Sequence, residues 1–165
     1  MALDVTIHLN HPDWKSVLRP YCKTVRETCA AALEATPLAR IDATWSVAVV
    51  LADDAFVHQL NRDFRGKDRP TNVLSFPSAD NIKGRARKLA AAGDTDLGDV
   101  ILALETVQRE AAAQGKHPRQ HAQHLLVHGI LHLLGHDHMK PAEAARMEGL
   151  EVKILKKQGI ANPYL

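Results

Sequence analysis

The sequence predicts one α/β domain of the α+β kind over residues 1–165: a small mixed sheet of four strands packed with about five helices. Three observations carry that expectation. Four short segments of strand character are interleaved with segments of helical period, which is how a sheet with helices laid on it is built. One helical segment, from Pro118 to about Leu134, is apolar almost all round, as a central buried helix must be. The chain has 165 residues, 45% of them hydrophobic, and no Pro/Gly/Ser linker or repeat divides it, so it fits a domain with one core of its own.

In chain order, residues 3 to 9 alternate as a half-buried strand does. From about Pro12 to Glu34, Trp14, Val17, Leu18, Tyr21, Cys22, Val25, Cys29 and Leu33 recur every three or four residues, with Pro20 as the point where this helix begins or kinks. Thr44 to Leu51 is the second strand, and its nearly continuous apolar second half suits a position covered on both faces. Asp53 or Asp54 caps a helix running to about Phe64, with Phe56, Val57 and Leu60 as its inner stripe. Arg65 to Pro70 carries turn residues. Asn72 to Phe76 follows as a short strand bracketed by Pro70 and Pro77, hence an edge strand with backbone groups available to an extended substrate. Residues 78 to 96 read as an exposed basic loop holding a short helix in Gly84 to Ala92. Leu97 to Leu102 is the last strand, Glu105 to Gln114 a helix ended by Gly115, and Pro141 to about Gln158 a final amphipathic helix ended by Gly159.

Composition excludes some functions. The longest apolar stretches fall far short of the roughly 20 residues that cross a bilayer. The N-terminus has neither a basic region nor a signal-like apolar segment, so a cytoplasmic protein without a membrane partner is expected. Cys22 and Cys29 lie on one predicted helix about 10 Å apart, too far for a disulfide and read as packing residues. A net charge of +2 does not argue for nucleic acid; its distribution says more, with clusters that attract phosphate backbones or are simply solvated charge. Arg62, Arg65, Lys67 and Arg69 form one cluster, Lys83, Arg85, Arg87 and Lys88 a second, and Lys153, Lys156 and Lys157 a third. Against single-strand reading stands the aromatic content, only 4%, because unpaired bases are commonly stacked on aromatic side chains.

The chemistry concentrates in His128-Gly129-Ile130-Leu131-His132-Leu133-Leu134-Gly135-His136-Asp137-His138. At 100° per residue, His128 and His132 project from one helical face, about 40° apart and one turn apart in height. Gly135 supplies the left-handed conformation that ends a helix and brings His138 round as a third nitrogen ligand. Three protein ligands with an open fourth position describe a catalytic zinc, one ion on the central helix. The spacing also matches the zinc-protease pattern H-E-x-x-H-x-x-G-x-x-H, except that the glutamate serving as general base is replaced by Gly129. His121 and His124 lie on the same face and extend the site, serve as hydrogen-bonded partners or lie at the surface. His136 is a candidate substrate or outer-layer group, and Asp137 either orients a ligand imidazole or stabilises the turn.

Three segments then carry a resemblance: Asn61-Arg62-Asp63-Phe64-Arg65-Gly66-Lys67-Asp68-Arg69-Pro70-Thr71-Asn72-Val73-Leu74-Ser75-Phe76-Pro77, Leu97-Gly98-Asp99-Val100, and the histidine motif, with Gly159 to Tyr164 as a further match. In these the chain resembles the YbeY family of single-domain, metal-dependent endoribonucleases acting in ribosomal RNA maturation. The resemblance implies that His128, His132 and His138 hold zinc and that Arg65 is the functional arginine. It also implies single-strand-specific cleavage in 16S 3′-end maturation and ribosome quality control, with ribosomal RNA, the small subunit and a ribosomal protein or assembly GTPase as partners. Two other readings stay open: a peptidase or other metal-dependent hydrolase, and a mainly non-catalytic ribosome-assembly factor. Oligomeric state is not legible in the sequence.

Overall fold

Four segments rich in branched and aromatic residues pair into one sheet in the computed structural model, which describes residues 2–79, 81, 94–136 and 139–165. The strands β1 (Ala2–Leu9), β2 (Thr44–Ala52), β3 (Val73–Pro77) and β4 (Thr95–Ala103) lie in the order β1-β2-β4-β3. β1, β2 and β4 are parallel, and β3 pairs antiparallel to β4 at the edge, as its flanking prolines predict. The helices are α1 (Trp14–Val17), α2 (Tyr21–Glu34), α3 (Asp54–Arg65), α4 (Leu104–Gln114), α5 (Pro118–Leu133) and α6 (Pro141–Lys157). Six helices are described where about five were expected. The difference lies at Pro20, whose ring cannot continue a helix, so the segment divides into α1 and α2.

The two faces of the sheet are unequal. On one, Val5, Trp45, Val47, Val49, Leu51, Val100 and Leu102 enter a large core shared with α2 and α5. On the other, a smaller cluster of Ala52, Val57, Leu74, Ile101 and Ala103 lies under α3. β2 is therefore interior to the sheet, but the second face is covered only toward its end, where Ala52 is buried and Val50 packs against the smaller cluster; Ser46 and Ala48 are partly exposed. The inner stripe of α3 also differs, because Val57 and Asn61 are buried while Phe56 is 37% exposed.

The expected exposed loop over 78–96 is corrected at its described ends. β4 already begins at Thr95, and Asn81 is fully buried. Its side-chain amide donates to Leu97 O at 2.9 Å and to Leu133 O at 2.8 Å, satisfying a carbonyl that the end of α5 leaves without an intrahelical partner. The predicted helix in 84–92 and the cluster Lys83, Arg85, Arg87 and Lys88 lie outside the described residues. The Leu97-Gly98-Asp99 segment forms a β-bulge: Ser46 pairs Asp96 while Ala48 pairs Asp99, so β4 carries one extra residue. Gly98 is obligatory there, since φ is +123° and a Cβ would stand 2.1 Å from Phe76 O. Among the described residues no helix is long and apolar enough to cross a membrane.

Candidate functional site

Helix α5 is the centre of the large core, and its exposure pattern singles out two residues. From His121 to Leu134 every residue is buried except His128 and His132, which are partly exposed. Their rings stand edge to face with centroids 4.7 Å apart, as residues four apart on one helical face should. The helix ends as the sequence predicts: Gly135 has φ of +97°, its amide donates to His132 O at 3.1 Å, and the His136 amide donates to Leu131 O at 3.0 Å. That is a Schellman closure, which reverses the chain beyond the second histidine. Asp137 and His138 lie outside the described residues. Burial, and then the charge of Arg146, holds the His136 imidazole below its usual range.

Gly129 is as informative as its histidine neighbours. The position faces the sheet, where an added Cβ would lie 2.7 Å from Val100 Cγ1 and 3.1 Å from Ser75 Oγ. Ser75 Oγ donates to Gly129 O at 3.0 Å, fixing the close approach of α5 to β3. The position that carries a protease's glutamate is thus closed to any side chain unless the stiff, β-branched Val100 moves.

Behind His128 lies a carboxylate that sequence reading left among ordinary residues of the last helix. Glu151 on α6 is fully buried. It accepts from His128 Nδ1 at 2.8 Å and from the Tyr164 hydroxyl at 2.7 Å, and His124 Nε2 lies 3.3 Å from its Oε1. Burial alone would raise the Glu151 carboxyl, but the bonds from His124, His128 and Tyr164 outweigh it and bring it down to about 2. A carboxylate only accepts, so the proton of His128 sits on Nδ1 and Nε2 is the ring atom on the opposite edge. Burial and the bond to Glu151 together raise the Tyr164 phenol. His124 and His121 are therefore hydrogen-bonded partners: His121 Nε2 lies 2.9 Å from Glu110 Oε1, and Glu110 also accepts from Asn72.

Arg65 reaches the same place from the other side of the fold. It is the last residue of α3, and the turn after it is held by Asn61, whose backbone carbonyl accepts from Lys67 N at 3.1 Å and whose buried side chain donates to Arg69 O at 2.7 Å. Arg65 Nη2 donates to Ser75 O at 2.6 Å, and its guanidinium carbon lies 5.0 Å from the centroid of the Phe76 ring. Arg65, Lys67, Arg69, Ser75, His128 and His132 line one cleft of about 520 Å³. The fold thus brings together three of the four predicted site residues, Arg65, His128 and His132. Elsewhere Cys29 is buried, which pushes its thiol up to about 12 and leaves it a packing residue, while Cys22 is half-buried.

Comparison with known proteins gives the fold and the family. A solution structure of a Thermotoga maritima protein superposes with a TM-score of 0.54 at 20% identity, covering 94% of this chain and 91% of that one, a likeness of fold. Proteins described as endoribonuclease YbeY are similar along nearly the whole chain. That of Sphingopyxis alaskensis is 50% identical over 98% of this chain and 97% of its own, and that of Parvibaculum lavamentivorans 47% identical over 99% and 85%. That of Paramagnetospirillum magneticum is 44% identical over 99% and 97%. Residues 10–159 match the family of endoribonuclease YbeY, and the chain belongs to that family.

Proposed function

We propose that this protein is a zinc-dependent endoribonuclease that cuts single-stranded ribosomal RNA in the cytoplasm, acting in 16S 3′-end maturation and ribosome quality control on the small subunit. The observation that carries the reading is that the two residues of the central helix left open to the cleft are His128 and His132, with Arg65 in the opposite wall. The donor set fits zinc. Two imidazoles on successive turns face one cleft, and a buried carboxylate engages Nδ1 of His128, so Nε2 is the atom offered to a metal. His138 completes the set by its spacing. When bound, zinc polarises a phosphoryl oxygen and lowers the pKa of a water to about 7.

The remaining steps belong to the chain. Arg65, permanently charged and planar, binds a non-bridging oxygen of the scissile phosphate and the charge that develops there; its bond to Ser75 O and its place over Phe76 hold the guanidinium ready. Lys67 and Arg69 draw the flanking phosphates into the cleft, and the outer edge of β3 offers backbone groups to an extended strand. Gly129 speaks against the peptidase alternative, because position 129 carries no base and a side chain there would meet Val100. Ribosomal RNA and a ribosomal protein or assembly GTPase are the partners proposed.

A second reading, that of an assembly factor with a structural zinc, draws on the bond from Arg65 to Ser75, which makes the arginine a strut between α3 and β3. The experiment that separates the two is RNA cleavage by wild type, chelator-treated protein, His128→Ala and Arg65→Ala purified side by side, with zinc measured in each. The nuclease reading expects cleavage to be lost in all three altered forms while Arg65→Ala keeps its zinc. Undiminished cleavage in the three, or ribosome maturation fully supported by a folded Arg65→Ala, overturns it.

A further inference from the structure

We propose that Phe64 is a stacking site for one unpaired nucleobase of an RNA strand whose adjoining phosphate is held by Arg65, a proposal that rests on the endoribonuclease reading above. The chain has three phenylalanines, and a composition this poor in aromatics argues against base stacking when only the sequence is considered. The fold gathers two of the three at one spot. Phe64 and Phe76 pack edge to face with ring centroids 5.9 Å apart and planes 69° apart. Phe76 is anchored against the smaller core, whereas Phe64 is 69% exposed on the last turn of α3. Its ring is steadied by Phe76 while most of its surface stays open to a planar partner.

Position gives this ring its ligand. Arg65 lines the cleft with His128 and His132, and the same guanidinium lies over Phe76, so the arginine joins the cleft to the aromatic pair. The Arg65 guanidinium carbon lies 5.0 Å and the Phe64 ring centroid 5.9 Å from the same Phe76 centroid, so the phosphate-binding group and the stacking ring are both neighbours of one anchored ring. Charge selects the occupant further. The exposed turn from Arg62 to Arg69 carries four cations against Asp63 and Asp68, and those two acids already contact Arg62 at 3.3 Å and His58 at 2.6 Å. The surplus favours a polyanion and disfavours a second copy of this chain, which would bring the same cations together. Every base has a π-face, so the site is tolerant of sequence. A duplex keeps its bases stacked inside, so the site prefers unpaired RNA.

The test is equilibrium binding of the full-length protein to single-stranded 2′-O-methyl oligonucleotides, intact or with one abasic position stepped along the strand, with strand integrity checked in the same samples. Phe64→Ala is expected to weaken the intact strand by about 5- to 150-fold. One abasic position should cost wild type a similar factor and cost Phe64→Ala nothing further. Phe64→Trp should bind as wild type, and the salt dependence should be unchanged because no phosphate contact is lost. Phe64→Leu, which keeps apolar packing on Phe76 but has no π-face, should behave as the alanine variant. Wild-type binding by Phe64→Ala or Phe64→Leu overturns the proposal, as does an equal penalty at every abasic position in both proteins. So does a wild-type dimer that Phe64→Ala converts to monomer. Because binding is read without turnover, base-dependent binding without RNA cleavage would sink the nuclease reading alone, and cleavage without that coupling would sink the stacking site alone.

Discussion

Glu151 makes its three polar contacts wholly within the protein, and through one of them it sets which nitrogen of His128 bears the proton. Outer partners of this kind usually contribute a factor of about 10 to 100 in metal affinity. Glu151→Gln is accordingly expected to weaken zinc binding by about that factor in competition with a chelator. Tyr164→Phe, which removes a donor to the carboxylate but leaves it charged, should weaken it less. Affinity unchanged in Glu151→Gln would reduce the residue to core filling. The sequence contains every member of this group, and the spacing Met147, Glu151, Ile154, Leu155 sets Glu151 on the apolar stripe of the last helix, a signal of a buried carboxylate. Spacing does not name its partners, because His124, His128 and Tyr164 come from other segments of the chain. His128 and His132 were legible for the converse reason: their relation is one turn of a single helix, fixed by backbone geometry alone.

Between elements, two contacts set the frame of the cleft. The first is the approach of α5 to β3 and β4 at Gly129. Gly129→Ala is expected to destabilise the protein by about 1–3 kcal/mol in denaturant unfolding, because the new methyl overlaps Val100 in a packed core. A neutral or stabilising result would mean that the helix can rise off the sheet without cost. The second is reciprocal capping of α3 and α4. Glu105 accepts from Asp54 N at 2.7 Å, while Asp54 accepts from Thr106 N and Oγ1, each at 2.9 Å, and from Arg109 at 3.0 Å. Burial pushes the Asp54 carboxyl up, but the bonds from Thr106 and Arg109 prevail and hold it below the usual carboxylate range. A folded value lowered in this way stabilises the protein above the unfolded value of about 3.9 and ceases to do so as pH falls through the folded one. Asp54→Ala should therefore cost about 1–2 kcal/mol at pH 7, and its gap from wild type should close in strong acid. A gap that persists unchanged at the lowest pH where both still fold reversibly would assign the loss to packing instead. The sequence predicted the cap on α3, since Asp53 accepts from Phe56 N at 2.8 Å. The cross-cap to α4 spans 51 residues and has no local signature.

Across the whole molecule, elements were legible and their mutual placement was not. The mixed four-stranded sheet, the edge position of β3, the break at Pro20 and the Gly135 terminus follow from period, proline and glycine, which act within a few residues of themselves. The coverage of β2 is not legible because a run of apolar residues reports hydrophobicity but not how far a helix extends over each face of the sheet. Asn81 reads as part of an exposed loop because polar neighbours surround it in sequence, whereas in space it lies between the bulge of β4 and the end of α5. By itself the sequence determined the fold class, the two histidines of one helical face and the family, since each is written in spacing or in contiguous motifs. Only the tertiary structure decided that α6 supplies the carboxylate behind His128, that α3 brings Arg65 to the cleft and that Phe64 rests on Phe76. These contacts join residues whose separation along the chain carries no periodic signal, and their geometry is set by how the helices pack against the sheet.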